Sequence, residues 1–308
     1  MKTISRDKIS YRLDRSNPPA MEINSGEIVR FETYDARTGT VKSEADLLDR
    51  PHPAGTNPAT GPVAVKGAGL RDSLAVEIIH IELASEGFLA VKKGVGLLGS
   101  RAEKCATRMI PIQDGMVQFS DQVQFPVRPM IGVIGTAPPA AGVETGLPGP
   151  HGGNMDNRYV REGATVHLPI AVPGALLSIG DIHASMGDGE ITMVGLEICG
   201  AATAKIDVIE NKPLARPWIE TPEWWITTGD SLDPVEALRI AAEEMVELLR
   251  NRLAVDFEEA YMLMSACADV QVCQICAPGS FPTTARAVFP GPRLPAGATR
   301  SQSTHMHR

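Results

Sequence analysis

Residues 150–197 read PHGGNMDNRYVREGATVHLPIAVPGALLSIGDIHASMGDGEITMVGLE. Three Gly-rich clusters, His151-Gly-Gly-Asn154, Gly180-Asp-Ile-His183 and Gly187-Asp-Gly-Glu190, are separated by apolar runs. Glycine permits sharp turns, so such clusters deliver polar side chains at strand ends, which is how a β scaffold assembles a site. Seven candidates lie in this stretch: His151, Asn154, Asp156, Asp181, His183, Asp188 and Glu190. The remainder of the chain reads as the scaffold that gathers them.

The chain has 308 residues, 43% hydrophobic and 21% charged, the balance of an ordinary globular protein. Its 29 Gly and 24 Pro disfavour helix interiors and predict many turns and short strands. The expected class is therefore α+β, mostly β, with helix formers confined to one late segment. The expected organisation is a β-rich part over 1–150, then 151–290 with the site-bearing strands and a C-terminal α/β part. A Pro/Gly/Ser-rich tail, 291–308, is expected to be disordered. A net charge of −8 argues against nucleic acid, which needs a basic face. The first fifteen residues lack the apolar core of a signal peptide, and no run of about 20 apolar residues predicts a membrane span. Five cysteines without a secretory leader predict reduced thiols and a cytoplasmic location.

Along the chain, Glu27–Thr33 reads as a strand, and 35–56 as an exposed excursion because Pro51 and Pro53 forbid regular pairing. His52 reads there as a surface histidine. Leu74–Leu83 reads as a strand with Leu74, Val76, Ile78 and His80 on one face, and Ala75, Glu77, Ile79 and Ile81 on the other. Residues 137–149 read as a loop at the mouth of the site. Thr165–Val172, Ile191–Cys199 and Ala204–Glu210 are further expected strands, the last two joined by a hairpin at Gly200–Thr203. Trp218, Trp224 and Trp225 read as a packed corner, a domain junction or a subunit interface, with a pocket wall the alternative. Asp233-Pro-Val-Glu236 and Asp256-Phe-Glu-Glu259 each predict a capped helix start.

The chemistry follows from residue types. Asp181 and His183 are two apart and can share one face of a strand. Asp156, Asp188 and Glu190 can converge on them from neighbouring turns. Carboxylates plus imidazole make a catalytic zinc-type set, whereas closed structural zinc sites rely on cysteine. The candidate ligands are Asp156, Asp181 and His183. Glu190, and after it Asp188, is the candidate proton carrier. Cys273-Gln-Ile-Cys276 has no second pair for zinc and lies in a strand-like segment, so it reads as two buried thiols. The chain holds no Gly-x-Ser-x-Gly elbow, P-loop or GxGxxG after a strand.

HGGNMDN (151–157), LPIAVPGALLSIGDIHASMGDGE (168–190) and GLEI (195–198) resemble the acetamidase/formamidase family. NPATGP (57–62), DSLAVEIIHIEL (72–83) and PVEALRIAAEEMVELL (234–249) add to the likeness, which spans most of 57–275. The resemblance implies hydrolysis of short linear amides to a carboxylate and ammonia. It also implies a β-sandwich or barrel-like core with a smaller α/β part, a divalent metal (zinc, with calcium the alternative), and a homodimer or larger homo-oligomer. By motif, Asp156, Asp181, His183 and Glu190 fall on the family's polar site positions. His151, Asn154, Asn57 and Thr60 fall on neighbouring turns and are the expected substrate contacts. CQIC stands where a Ser-Gln-Val-Val type strand is usual, and 35–56 matches no familiar motif. Three rivals remain open: a lactam hydrolase on the same fold, a non-catalytic metal-stabilised binding protein, and a non-haem iron oxygenase. The last would need a second histidine, His80 or His151, at the metal.

Overall fold

Short β-prone runs broken by Gly and Pro fold into four open sheets, seen in a computed structural model that describes residues 1–291. Apart from residue 291, the tail expected to be disordered lies outside the described residues. The largest sheet has nine strands, in the order Lys2–Ile4, Glu27–Thr33, Gly200–Ile209, Ser73–Leu83, Thr165–Pro169, Trp218–Glu220, Trp224–Ser231, Thr283–Pro290 and Asp269–Gln274. A seven-stranded sheet is built around the central strands Gly152–Asn154, Met130–Gly135, Leu177–His183 and Ala59–Val65. The two sheets share one core, in which Phe31, Leu74, Val76 and Ile78 from the first meet Ile131, Leu177, Ile179 and Ile182 from the second. The expected sandwich therefore forms. No sheet closes into a barrel among the described residues. Both large sheets take strands from either side of residue 150.

Leu177–His183 and Met130–Gly135 are buried at every position. Strands covered on both faces read as continuous apolar runs, and only the polar side chains placed among them stand out. Two expectations about strands need correction. Ile191–Cys199 is not a strand, because Glu190 and Met193 take left-handed backbone conformations (φ 40° and 68°) that break extension. Only isolated bridges at Glu197 remain there, and Gly200–Ile209 is one continuous strand rather than the far arm of a hairpin. In Ser73–Leu83 an irregularity opposite Thr203/Ala204 shifts the alternation. Ile79 and His80 are both exposed, and His80 pairs with Glu162 at 2.7 Å instead of facing the core beside Ile78.

Helices Pro234–Leu253 (α1) and Phe257–Cys267 (α2) start where the caps predict. The Asp233 side chain accepts from Val235 N, but Glu236 pairs with Arg239 rather than closing a capping box; Asp256 and Glu259 do close one. α1 covers the end of the large sheet through Ala237, Ala241, Met245 and Leu249, which form a second core with Trp218, Trp225 and Phe289. The tryptophans are thus structural, and Trp218 stacks on His167 at 4.0 Å.

Candidate functional site

Asp181 sits in the buried strand Leu177–His183, opposite the register position of Gly132 on Met130–Gly135. A β-carbon on Gly132 would lie 2.6 Å from Asp156 Oδ1 and 2.8 Å from Asp181 Oδ2. Glycine is therefore required there so that the two carboxylates can occupy that space. Asn57, Asp156, Asp181 and Glu190 all have positive φ, at 54°, 44°, 55° and 40°. Such strain in non-glycine residues persists only where the surroundings enforce it, and it clusters at functional sites.

Five ionisable side chains meet here, all buried: Asp156, Asp181, His183, Glu190 and Glu197. Ligand atoms of Asp156, His183 and Glu190 lie within 4.8 Å of one another, and so do those of Asp181, His183 and Glu197. His183 belongs to both groups; its Nε2 is 3.2 Å from Glu197 Oε1 and 3.6 Å from Asp181 Oδ1. Neither ring nitrogen makes a hydrogen bond, and Asp156 Oδ1 and Asp181 Oδ1 are likewise buried without one. Buried polar atoms are almost always paired, so this cluster of orphans fits a bound cation. The residues could hold a divalent metal.

Side-chain amides hold Asp181, Asp156 and Glu190, while Glu197 accepts from the backbone N–H groups of Gly195 and Ala36 at 3.2 and 3.3 Å. Asn57 Nδ2 donates to Asp181 Oδ2 at 2.8 Å and to Asn154 Oδ1 at 3.1 Å, and Asn154 Nδ2 donates to Asp156 Oδ2 at 2.6 Å. Gln274 Nε2 donates to Asp156 Oδ2 at 2.7 Å and also to Glu190 Oε2. Burial raises the carboxyl pKa of Asp156 and Glu190 and pushes Glu197 up to about 8. Burial would lower His183, but Glu197 and Asp181 outweigh it and hold the imidazole well above its usual range.

Asp181, Glu190 and Glu197 line a cavity of about 280 Å³, with Asn57, Asn154 and Gln274 beside them. Asp156 and His183 stand behind that floor, in the ligand groups but not on the cavity wall. Both loops read as exposed or mouth-forming contribute to the wall, 35–56 through Ala36 and Arg37 and 137–149 through Glu144 and Leu147.

Three expected site residues fall elsewhere. Asp188 is captured by Arg286 and by Arg158, the latter at 3.0 Å, and does not line the cavity. Thr60 is fully buried and spends its hydroxyl on Glu32 O at 2.6 Å. His151 is buried outside the cavity wall. Neither His151 nor exposed His80 joins the ligand groups, so the second histidine an oxygenase needs is absent among the described residues. Two residues were missed. Glu197 closes the Gly195-Leu-Glu turn inside the quoted stretch, and its signal was a third carboxylate borne on a Gly turn there, after Asp188 and Glu190. Gln274 had no local signal; it arrives because Gly189 N donates to Cys273 O and Ile275 N donates to Gly189 O, each at 2.8 Å. Cys273 and Cys276 are buried, and burial pushes their thiols up to about 11 and about 12.

The acetamidase/formamidase family model matches residues 3–145 and 139–287. The chain belongs to the acetamidase/formamidase family. It superposes on the crystal structure of an acetamidase from Bacillus halodurans with a TM-score of 0.90 at 38% identity, covering 94% of this chain and 97% of that one. A predicted acetamidase/formamidase from Thermoanaerobacter tengcongensis gives the same TM-score and identity, covering 94% and 95%. A putative formamidase of Schizosaccharomyces pombe is 29% identical over 63% of this chain, and the match spans 62% of that relative's length. No helix among the described residues is long and apolar enough to cross a membrane.

Two consequences can be measured directly. Gly132→Ala, whose methyl would displace both carboxylates, is expected to weaken any divalent ion held there by about 10–100-fold and to cost about 1–3 kcal/mol of stability. Metal titration by calorimetry beside thermal unfolding checks this; wild-type affinity would show that the carboxylates move aside freely. His151 is the second case. Burial lowers its pKa from 6.5 to about 4, so on acidification the unfolded chain takes the proton first. Stability contributed by the neutral ring is present above pH 6.5 and is lost as pH falls toward 4. At pH 4.5 that loss is about 2–3 kcal/mol. Urea unfolding at pH 7 and 4.5 should show a smaller acid loss for His151→Gln; an identical loss refutes it.

Proposed function

We propose that this chain hydrolyses the carbon–nitrogen bond of small linear amides, with formamide or acetamide as substrate, giving a carboxylate and ammonia. The observation that carries the reading is the burial of Asp181, Glu190 and Glu197 side by side on one cavity floor, with His183 and Asp156 behind them. So many ionisable groups withdrawn from water at one point need a positive partner. A mixed carboxylate and imidazole donor set suits zinc, with calcium the alternative. Asp181, His183 and Glu197 would hold it. When bound, such an ion polarises a carbonyl oxygen and brings the pKa of a water toward neutrality.

The chain's own groups do the rest. Glu190 faces the cavity with its carboxyl held above the usual range by burial, as a proton carrier near neutral pH requires. It takes a proton from the attacking water and delivers it to the amide nitrogen as the carbon–oxygen bond forms and the carbon–nitrogen bond breaks. Gln274 binds Glu190 and Asp156 together and keeps Glu190 turned to the cavity. Asn57 and Asn154 hold Asp181 and Asp156 in the orientation the floor needs. Phe88 and Val194 supply an apolar wall for the acyl group.

The test is ammonia release from formamide, acetamide and a γ-lactam, before and after chelation and again with zinc restored. Activity on the linear amides that chelation removes and zinc restores supports the reading. Activity indifferent to chelation overturns the metal part, activity on the lactam alone overturns the substrate, and no ammonia from any overturns the function. The reading includes a cytoplasmic homodimer or larger homo-oligomer. Exposed Phe257, Tyr261 and Met262 on α2 support self-association, and a monomer in sedimentation velocity would remove that part.

A further inference from the structure

Arg37, Arg50 and Lys92 line the same cavity as the acidic floor. None of the three is paired with a carboxylate among the described residues. Glu144 is the single carboxylate on the wall apart from those of the floor. Arg37 is the most constrained cation. Its Nε is buried without a hydrogen-bond partner, and its Nη2 donates to the Arg50 carbonyl at 3.2 Å. Burial lowers its pKa against the pull of Asp35, the mark of a cation short of counter-charge.

The segment carrying both arginines is tied to the site at each end. Ala36 N donates to Glu197 Oε2 at 3.3 Å, and Asn57 reaches Asp181 at 2.8 Å. The guanidinium of Arg37 is thus held on a loop that begins and ends at the floor.

Formamide and acetamide are neutral and carry no negative charge to answer these cations. They also leave the cavity largely unfilled. At roughly 30 Å³ per water-sized group, the four heavy atoms of acetamide occupy less than half of it. The cavity volume is about 280 Å³, near the lower end of the ~300–1,000 Å³ typical of larger ligands. A divalent ion on the floor neutralises carboxylates there and leaves the cations of the wall unanswered.

We propose that, beyond the smallest neutral amides, this site takes and prefers linear amides that also bear a carboxylate. Their amide lies on the acidic floor and their carboxylate against Arg37, Arg50 and Lys92. This rests on the amide-hydrolase reading above and names the substrate class of that site. Guanidinium and carboxylate match in a charge-assisted, bidentate way that a neutral amide lacks. The carboxylate could sit on the acyl side or on the nitrogen substituent, and both share this chemistry. In the first case a dicarboxylic monoamide and water give a dicarboxylate and ammonium. In the second an N-acylamino acid and water give a short carboxylate and an amino acid. In both, the carbon–nitrogen bond breaks, water oxygen bonds to the acyl carbon, and the nitrogen leaves protonated.

The experiment uses the whole chain supplied with zinc. It compares kcat/KM for succinamate and glutaramate with their neutral isosteres 4-methylpentanamide and 5-methylhexanamide, for N-acetylglycine with N-isobutylacetamide, and for acetamide as reference. At low ionic strength the anionic member of at least one pair is expected to be faster by about tenfold or more. The pair that shows it assigns the side of the carboxylate. In roughly 0.5 M KCl the advantage should shrink while the neutral rates hold. In the variant R37M/R50M the anionic-to-neutral ratio should fall to about one, and a ratio within one protein is insensitive to how much of it folds. Acetamide hydrolysis with no anionic preference in any pair overturns this inference and leaves the hydrolase intact. A preference untouched by both salt and R37M/R50M overturns the assignment to these cations. No hydrolysis of any amide removes both readings.

Discussion

Under the proposed mechanism Glu190→Gln is expected to lower kcat for acetamide by about 10²–10⁴-fold with no change in metal content. The substitution keeps shape and removes only the ability to take and return a proton. Gln274, which donates to the native carboxylate, retains an acceptor in the new amide. The ligand group Asp181, His183 and Glu197 does not include this residue, so metal stoichiometry measured on the variant should match wild type. KM should change little, because the step that fails is proton transfer rather than binding. Activity within about threefold of wild type would remove Glu190 from the chemistry. Loss of metal in parallel with activity would make it a ligand of the group formed by Asp156, His183 and Glu190 instead.

His183→Asn should have the larger effect on the metal itself. His183 alone belongs to both ligand groups, and its two ring nitrogens are buried without hydrogen bonds. Removing it leaves Asp156, Asp181, Glu190 and Glu197 crowded with no imidazole among them. A Lewis acid contributes several kcal/mol of transition-state stabilisation, so its loss should cost about a thousandfold or more in kcat/KM. Elemental analysis of the purified variant beside its rate checks both halves. Full metal content with a normal rate would show that the carboxylates alone suffice. Gly195→Ala approaches the same point from the opposite side, since its β-carbon would lie 2.6 Å from His183 Nδ1. It should reduce metal content without removing any ligand.

Local rules made part of the fold legible. Glu27–Thr33 alternates buried and more exposed positions as a strand with one covered face should, and Asp256 with Glu259 caps α2 as read. Where the expectation failed, the cause lay in backbone conformations that composition does not reveal. Met193 and Glu190 turn left-handed although neither is a glycine, and the strand expected over Ile191–Cys199 breaks there. A single irregularity in Ser73–Leu83 turned His80 outward, because a period of two has no tolerance for an extra residue.

The candidate site divides the same way. Asp181 and His183 could be placed together from their spacing, since residues two apart on a regular strand share a face. Asp156 and Glu190 were legible as turn-borne carboxylates in the same stretch. The sequence by itself therefore determined the material of the site: clustered acids, one imidazole, glycines to turn them inward, and strands to carry them. Which of those groups meet was decided only by the tertiary structure. Glu197 joins through its bridge to His183, and Gln274 through the pairing of Gly189 with a strand that begins eighty residues later. Asp188, one residue from Gly189, is drawn away by Arg286 from the far end of the chain. Neighbours distant in sequence are chosen by sheet register and by competition between charges, and neither leaves a mark at the residue it selects.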